Sequence, residues 1–449
     1  MSISTNSLSH IRFGLGFRKN DPRELSAQDL LDQVSGNPRW QSRPKLKYRQ
    51  NLIASYRVLG RMERQKGGNP EKLAASKEKI RDLVEQDFRL LIARQVVSKD
   101  GFFERLANFW ADHFTVSARG RILRVVQSSF VDEAIRPHIT GRFADLLGAA
   151  ITHPAMLQYL DQNNSVGPNS KIGLRKGLGL NENLAREMLE LHTLGVGSGY
   201  SQVDVTALAN VLTGLRITEK GQEFLPRYAE PGLHEVLGRS YGGDRPSLAH
   251  ILEAVEDLSV HPETARHLAQ KLVVHFVSDA PDQELVEHIS QAYLVQGGDL
   301  KAAYQALLEH PKAWVPKQTK VKQPLDYMVS SFRAFGVKKA EIVDLERSKL
   351  RNWIIGPLVS MGQPPNMPRG PDGWPEEGSY WITPATLSAR IEWATKLARE
   401  YGQDIDPREF LELALGDMAS QNTEFLVGGS ESKWEGVALV LSSPEFNRR

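Results

Sequence analysis

Residues 71–98, EKLAASKEKIRDLVEQDFRLLIARQVVS, decide the fold class. Ile80, Leu83, Phe88, Leu91 and Ile92 fall at helical spacing and draw one apolar stripe along an otherwise charged segment. Residues 47–65 carry a second long charged pattern. Gly67-Gly68-Asn69-Pro70 separates the two, so the pair reads as a helical hairpin. Upstream, Ser26 suits the N-cap of AQDLLDQVSG, with Gly36 just past its end. Downstream, helical patterns run at about 101–114, 122–136, 141–160, 183–194, 202–213, 247–258, 263–277, 282–295 and 300–308. They resume at about 323–335, 341–359, 384–400, 407–415 and 431–442.

Strand pattern is scarce, and its best stretch, 215–241, reads as a small β-hairpin inserted between helices. No fixed-period repeat emerges, which argues against a solenoid. Residues 361–384 are rich in Pro and Gly yet carry Trp374, Tyr380 and Trp381, so they read as an ordered loop packed on the body. The expected fold is mainly α: one large multi-helix domain over 1–449 with a small β-hairpin insertion near 215–241. Its weakest seam would part a main body, 1–360, from the aromatic loop and C-terminal helices of 361–449.

Composition excludes more than it names. With 41% hydrophobic and 24% charged residues, the 449-residue chain has ordinary globular composition. Fifty-six Lys and Arg against fifty-four Asp and Glu leave +2, so no global field draws it to nucleic acid or anionic lipid. The absence of cysteine removes disulfides, thiolate nucleophiles and Cys zinc sites together. The opening residues lack the apolar run of about seven or more that a signal peptide needs. No window reaches the roughly eighteen apolar residues of a membrane span. As written, the protein is expected in the cytoplasm; a periplasmic location would require carriage by an exported partner. Phosphate-loop, nucleophile-elbow and His-Glu-x-x-His signatures are missing, and Gly177-x-Gly179 follows no strand.

The segment with most chemistry is 153–200. A helix ending near Asp161 runs into a loop, 162–181, without acidic residues and with Gly167, Gly173, Gly177, Gly179, Lys171, Arg175 and Lys176. Long structureless loops in compact domains are often lids or binding loops, and these cations suit an anionic substrate such as phosphate or sulfate. In the following helix, at about 100° per residue, Leu184, Met188 and Leu191 share a core face. Asn183, Glu187 and Glu190 form a neighbouring stripe, where paired carboxylates serve as metal ligands or as an acid/base pair. The plainer alternative pairs them with Arg186 and caps the helix with Asn183. His192 projects roughly 120–160° away, so it shares no one-face chelate with Glu190 on an intact helix. His113 lies on the apolar stripe of Leu106 and Phe109, as a core histidine or, if the fold brings it to Glu187, as an imidazole partner. His153 suits an N-cap or packing role, and His275 aligns with Leu268 and Leu272 as core.

At these motifs the sequence resembles a bacterial family, the domain of unknown function DUF1800. The match is carried by Arg12-Phe13-Gly14-Leu15-Gly16, by Phe109-Trp110 with His113-Phe114, and by Pro154-Ala155-Met156-Leu157 with Tyr159-Leu160-Asp161. Its most specific part is Asn181-Glu182-Asn183-Leu184-Ala185-Arg186-Glu187 continuing through Glu190-Leu191-His192-Thr193-Leu194-Gly195-Val196 and on to Gly214. Lys271-Leu272, Phe276-Val277, Gly298-Asp299-Leu300, Lys322 with Pro324, Gly362-Gln363-Pro364-Pro365 and Gly373-Trp374-Pro375 follow in order. The resemblance implies a mainly helical protein. It also implies a co-encoded partner, a DUF1501-like protein similar to sulfatases and alkaline phosphatases, but no reaction.

Three functional expectations follow. One is a metal-dependent or acid/base enzyme with Asp161, Glu187 and Glu190 as catalytic groups and Lys171, Arg175, Lys176 and Asn183 on an anionic substrate. A divalent metal there would be held by His113, Glu187, Glu190 and His192. The second is a non-catalytic partner or chaperone of the co-encoded secreted protein. The third is an envelope carbohydrate-binding module using the aromatics of 373–381.

Overall fold

Helix Pro70–Val97 buries its stripe against two bodies of the fold at once. The computed structural model describes residues 5–21, 24–35, 43–65, 68–218 and 221–449. Asn69 caps this long helix by accepting from Lys72 N at 3.0 Å, with Pro70 in the first turn where its missing N–H costs nothing. Helix Leu46–Arg64 packs alongside as expected, and Gly67 of the break lies outside the described residues, as does Gly36. Ser26 caps helix Ala27–Ser35 reciprocally with Asp29, its hydroxyl accepting from Asp29 N at 3.1 Å.

Two hydrophobic clusters divide the interior. The first gathers Phe13, Ile80, Phe102, Trp110, Leu189 and Leu272, among others, from residues up to Ala313. The second gathers Leu15, Phe88, Ile92, Val96, Tyr327, Trp393 and Leu441. Helix Pro70–Val97 supplies both, as does the chain start, where Phe13 enters one cluster and Leu15 the other. The start is locked in from both sides: Arg105 donates to Gly14 O at 2.6 Å and Arg333 to Gly16 O at 2.9 Å.

The fold is mainly α. The expected single hairpin is two separate antiparallel ribbons, β1 (Leu215–Thr218) with β2 (Gly221–Phe224) and β3 (Gly232–Val236) with β4 (Arg239–Gly243). The 141–160 helix breaks at His153, whose side chain caps a new helix, Pro154–Tyr159, by accepting from Ala155 N at 3.1 Å. Pro154 forces that break, because a residue before proline is pushed out of helical conformation. The 162–181 stretch is not structureless: it forms a turn Gln162–Asn164 and helix Lys171–Lys176. Ser170 caps that helix on Gly173 N at 3.0 Å, and Gly177, at φ 61°, ends it in the left-handed region that glycine favours.

Much of the charge in the interior is held in ion pairs. Arg49 clamps Asp87 with contacts of 2.6 and 2.9 Å, and Ser128 adds a hydroxyl bond of 2.6 Å. Arg136 grips Glu104 twice at 2.8 Å, while Arg94 bridges Glu104 at 3.2 Å and Asp132 at 3.3 Å. Arg43 completes the chain on Asp132. A buried pair broken on one side leaves an uncompensated charge in a low-dielectric interior. Arg49→Met should therefore lower the unfolding free energy by about 3–5 kcal/mol in urea titrations. A loss below about 1 kcal/mol, as for a surface pair, would contradict this network.

Candidate active site

Helix Gly101–His113 is buried nearly all round, which fixes the direction of its last turn. Trp110 Nε1 donates to the Tyr304 hydroxyl at 2.6 Å, and that hydroxyl donates to Ile139 O at 2.8 Å. The turn so clamped presents Asp112 and His113 in different directions. Asp112 meets the loop 373–376, where the Trp374 backbone N–H reaches both carboxylate oxygens, at 3.0 and 3.2 Å. Gly373 makes this possible. Its φ is 84°, and a Cβ there would stand 2.7 Å from Asp112 Oδ2, so a side chain would push the loop off the carboxylate.

Asp112 is surrounded by protein yet keeps some surface, so its carboxyl forms the wall of a recess. Burial pushes its pKa up; the Trp374 N–H and the Lys271 charge oppose the rise, while Glu376 and Asp372 add to it. The net result is about 7. Lys271 stands in the same condition: burial lowers its pKa against the pull of Asp112, Glu376 and Asp372. Among the described residues its ammonium has no hydrogen bond or ion pair. Asp372 also raises Glu187, so Glu187, Asp372, Lys271 and Asp112 form one electrostatic neighbourhood.

Asp112, Trp374, His275, Glu376, Asn108 and Gln127 help to wall a cavity of about 120 Å³. Behind it lies a second charge network. Glu376 accepts from His275 Nδ1 at 2.6 Å and from Lys320 Nζ at 2.9 Å, with Arg449 at 3.9 Å. Burial disfavours its ionisation, but these partners outweigh burial and hold its carboxyl well below the ordinary range. Burial drives His275 down to about 4, so the imidazole is neutral and donates to Glu376. Asp326 is likewise held ionised, by Arg105 at 2.9 Å and by Arg449. The cavity thus pairs one carboxyl protonated near neutrality with two that stay charged.

The sequence-derived candidates are spread over three places. His113 and His192 point inward, with ring centroids 6.0 Å apart, and His267 lies 6.4 Å from His113. His113 Nε2 lies 3.1 Å from His192 O, and burial holds all three imidazoles neutral, His192 at about 3 and His267 at about 4. Glu187 and Glu190 lie on the outer side of the same segment, which becomes a π-turn at Met188–His192. Glu190 pairs with Arg186 at 3.4 Å; Glu187 is half-buried and raised by burial and by Glu190. His113 therefore meets His192 rather than Glu187, and the four candidate ligands do not gather. Among the described residues no three His, Asp or Glu side chains are placed to hold one metal ion.

The third place is the surface. Asp161, Lys171, Arg175, Lys176 and Asn183 are exposed. Asn183 does not cap its helix; its own backbone N–H donates to the Asn181 side-chain oxygen at 2.9 Å. Helix Lys171–Lys176 packs on the turn Pro226–Tyr228. The residues that do line the recess, Asp112, Trp374 and Glu376, and Lys271 in their electrostatic neighbourhood, sit inside or beside the motifs quoted above. An acid next to a buried Trp-x-x-His face and a Gly-Trp loop were the available signals.

The family model described as "Protein of unknown function (DUF1800)" matches residues 9–448. No curated protein and no solved structure is found to match the chain. No described helix is long and apolar enough to cross a membrane.

The Asp112 shift has a consequence for stability. The folded carboxyl keeps its proton to about 7, whereas the unfolded one loses it near 3.8, so the folded state binds more protons in between. The contribution of Asp112 to stability therefore falls as pH rises through that window. Asp112→Asn cannot ionise and escapes the fall. Its melting temperature relative to wild type should rise by roughly 2–4 °C from pH 5 to pH 8, and a pH-independent difference would contradict the raised pKa.

Proposed function

Because the chain belongs to the DUF1800 family, whose description assigns no activity, we propose its function from the recess itself: an acid–base enzyme in which Asp112 carries the proton. One observation supports this above the rest. Asp112 is a carboxyl reachable from a cavity and free of any ion pair within contact distance among the described residues. Burial holds it protonated near neutrality, while Glu376 in the same wall stays ionised. Separated protonation states of this kind equip a site to give a proton and take it back.

Asp112 is the group that donates to a leaving oxygen or withdraws a substrate proton. Lys271, uncommitted beside it, stabilises negative charge as it develops, which a partly desolvated ammonium does more strongly than one in water. The Trp374 N–H and Gly373 position the carboxyl, and Glu376 with His275 and Lys320 sets the field around it. Of the sequence-derived catalytic set, Glu187 stays in this scheme through its coupling to Asp372. The exposed cations of helix Lys171–Lys176 have no part in it.

The test is a parallel screen of wild type, Asp112→Asn and Lys271→Met on chromogenic esters, phosphates, sulfates and glycosides. Where wild type turns over, Asp112→Asn should lose about 10²–10⁴-fold in kcat, together with the limb of the pH profile near neutrality. Turnover at the wild-type rate in Asp112→Asn would remove Asp112 from the chemistry.

A second role, docking to the co-encoded DUF1501-like protein, is favoured by a different observation. Leu174, Val196, Val203 and Leu233 stand strongly exposed between residues 174 and 233. Val203→Asp with Leu233→Asp should abolish co-elution of the two purified proteins, and co-elution that survives the double variant counts against this face.

A further inference from the structure

We propose that the cavity beside Asp112 binds one ring of a neutral saccharide; this names a substrate class for the site above and rests on that reading for its catalytic meaning. The inference starts from the polar groups that the fold leaves without partners. Among the described residues the side-chain amides of Gln127 and Asn366 make no hydrogen bond, and both line the cavity. Asn108 and Gln323 each use only their oxygen, accepting from Gln95 at 2.7 Å and from Gln363 at 2.9 Å, so their NH₂ groups remain free. None of these atoms is sealed from water, and each amide retains unused donor or acceptor capacity.

Charge decides between an anion and a neutral ligand. Three arginines stand on the wall, but each is committed: Arg43 to Asp132, Arg94 to Glu104 and Asp132, and Arg105 to Asp326. Asp326 and Glu376, both ionised, face the same space and repel an anion. What is left on the wall is mainly neutral amide, with the Asp112 carboxyl and Trp374 beside it. Sugar hydroxyls donate and accept at once, which suits amides, and the apolar C–H face of a pyranose packs on an indole ring.

Asn366 is positioned for this by its backbone. It stands at φ 54°, a left-handed conformation that asparagine tolerates, and its carbonyl is tied to Ala118 N at 2.7 Å. The backbone is thereby held without spending the side-chain amide.

Saturation-transfer NMR with methyl glucosides, methyl mannosides and N-acetylglucosamine at tens of millimolar tests this on the full chain. Inorganic sulfate serves as the competing anion, and Gln127→Ala and Asn366→Gly as the variants. At least one sugar should bind wild type, each variant should weaken it by roughly 3–10-fold with melting temperature retained, and sulfate should not displace it. Absence of binding by every sugar, sugar binding unchanged in both variants, or displacement by sulfate would overturn the assignment. The Asp112 acid stands or falls separately, on the turnover of Asp112→Asn.

Discussion

The structure depends on the pairing of charge inside the protein. Arg43, Arg49, Arg94 and Arg136 are met by Asp87, Asp132 and Glu104, and Arg105, Lys320 and Arg449 by Asp326 and Glu376. These ions join elements far apart in sequence: Arg49 reaches across 38 residues to Asp87, and Arg105 across 221 to Asp326. An ion desolvated to this degree tolerates only one arrangement of partners, so the networks hold the helices in register where apolar packing alone would permit sliding. Between the two networks lies the polar cavity, with Arg43 and Arg94 of one and Arg105, Asp326 and Glu376 of the other in its wall.

Against that background Asp112 is the exception. Every interior carboxylate just named has a guanidinium or ammonium in contact; Asp112 has backbone N–H and, at longer range, Lys271. Among the described residues Glu230 is also buried without an ion pair, but it accepts from Asn169 and lies off the cavity, whereas Asp112 stands on the cavity wall. The same logic sets apart His113, His192 and His267. Their burial holds them neutral, and their ring contacts belong to the core rather than to a ligand set.

Much of the fold was legible in the sequence. The stripe from Ile80 to Ile92, the caps at Ser26 and His153, and the scarcity of alternating pattern are local signals, and local rules read them. What failed was local in a different sense. The 162–181 stretch reads as loop because its glycines mask a one-and-a-half-turn helix that Ser170 and Gly177 delimit. The site was harder still. Glu187 and Glu190 attract notice as a carboxylate pair one turn apart, but whether such a pair faces the interior depends on the π-turn at Met188–His192 and on neighbours that periodicity does not specify. Nothing local in the sequence marks Asp112. Its environment comes from Gly373 and Trp374, more than 250 residues away, and from Lys271 on a third element, so only the assembled fold discloses it.

The central claim is that the Asp112 carboxyl titrates near neutrality, far above an ordinary aspartate, and its ionisation can be observed directly. Carbon-13 NMR of side-chain-labelled aspartate, with Asp112→Asn used to assign the resonance, follows the carboxyl carbon through a pH titration of the folded protein. A midpoint near 7 is expected. A midpoint in the ordinary aspartate range near 3.8 would show that the carboxyl is solvated or paired, and the acid–base account of the recess would fail with it.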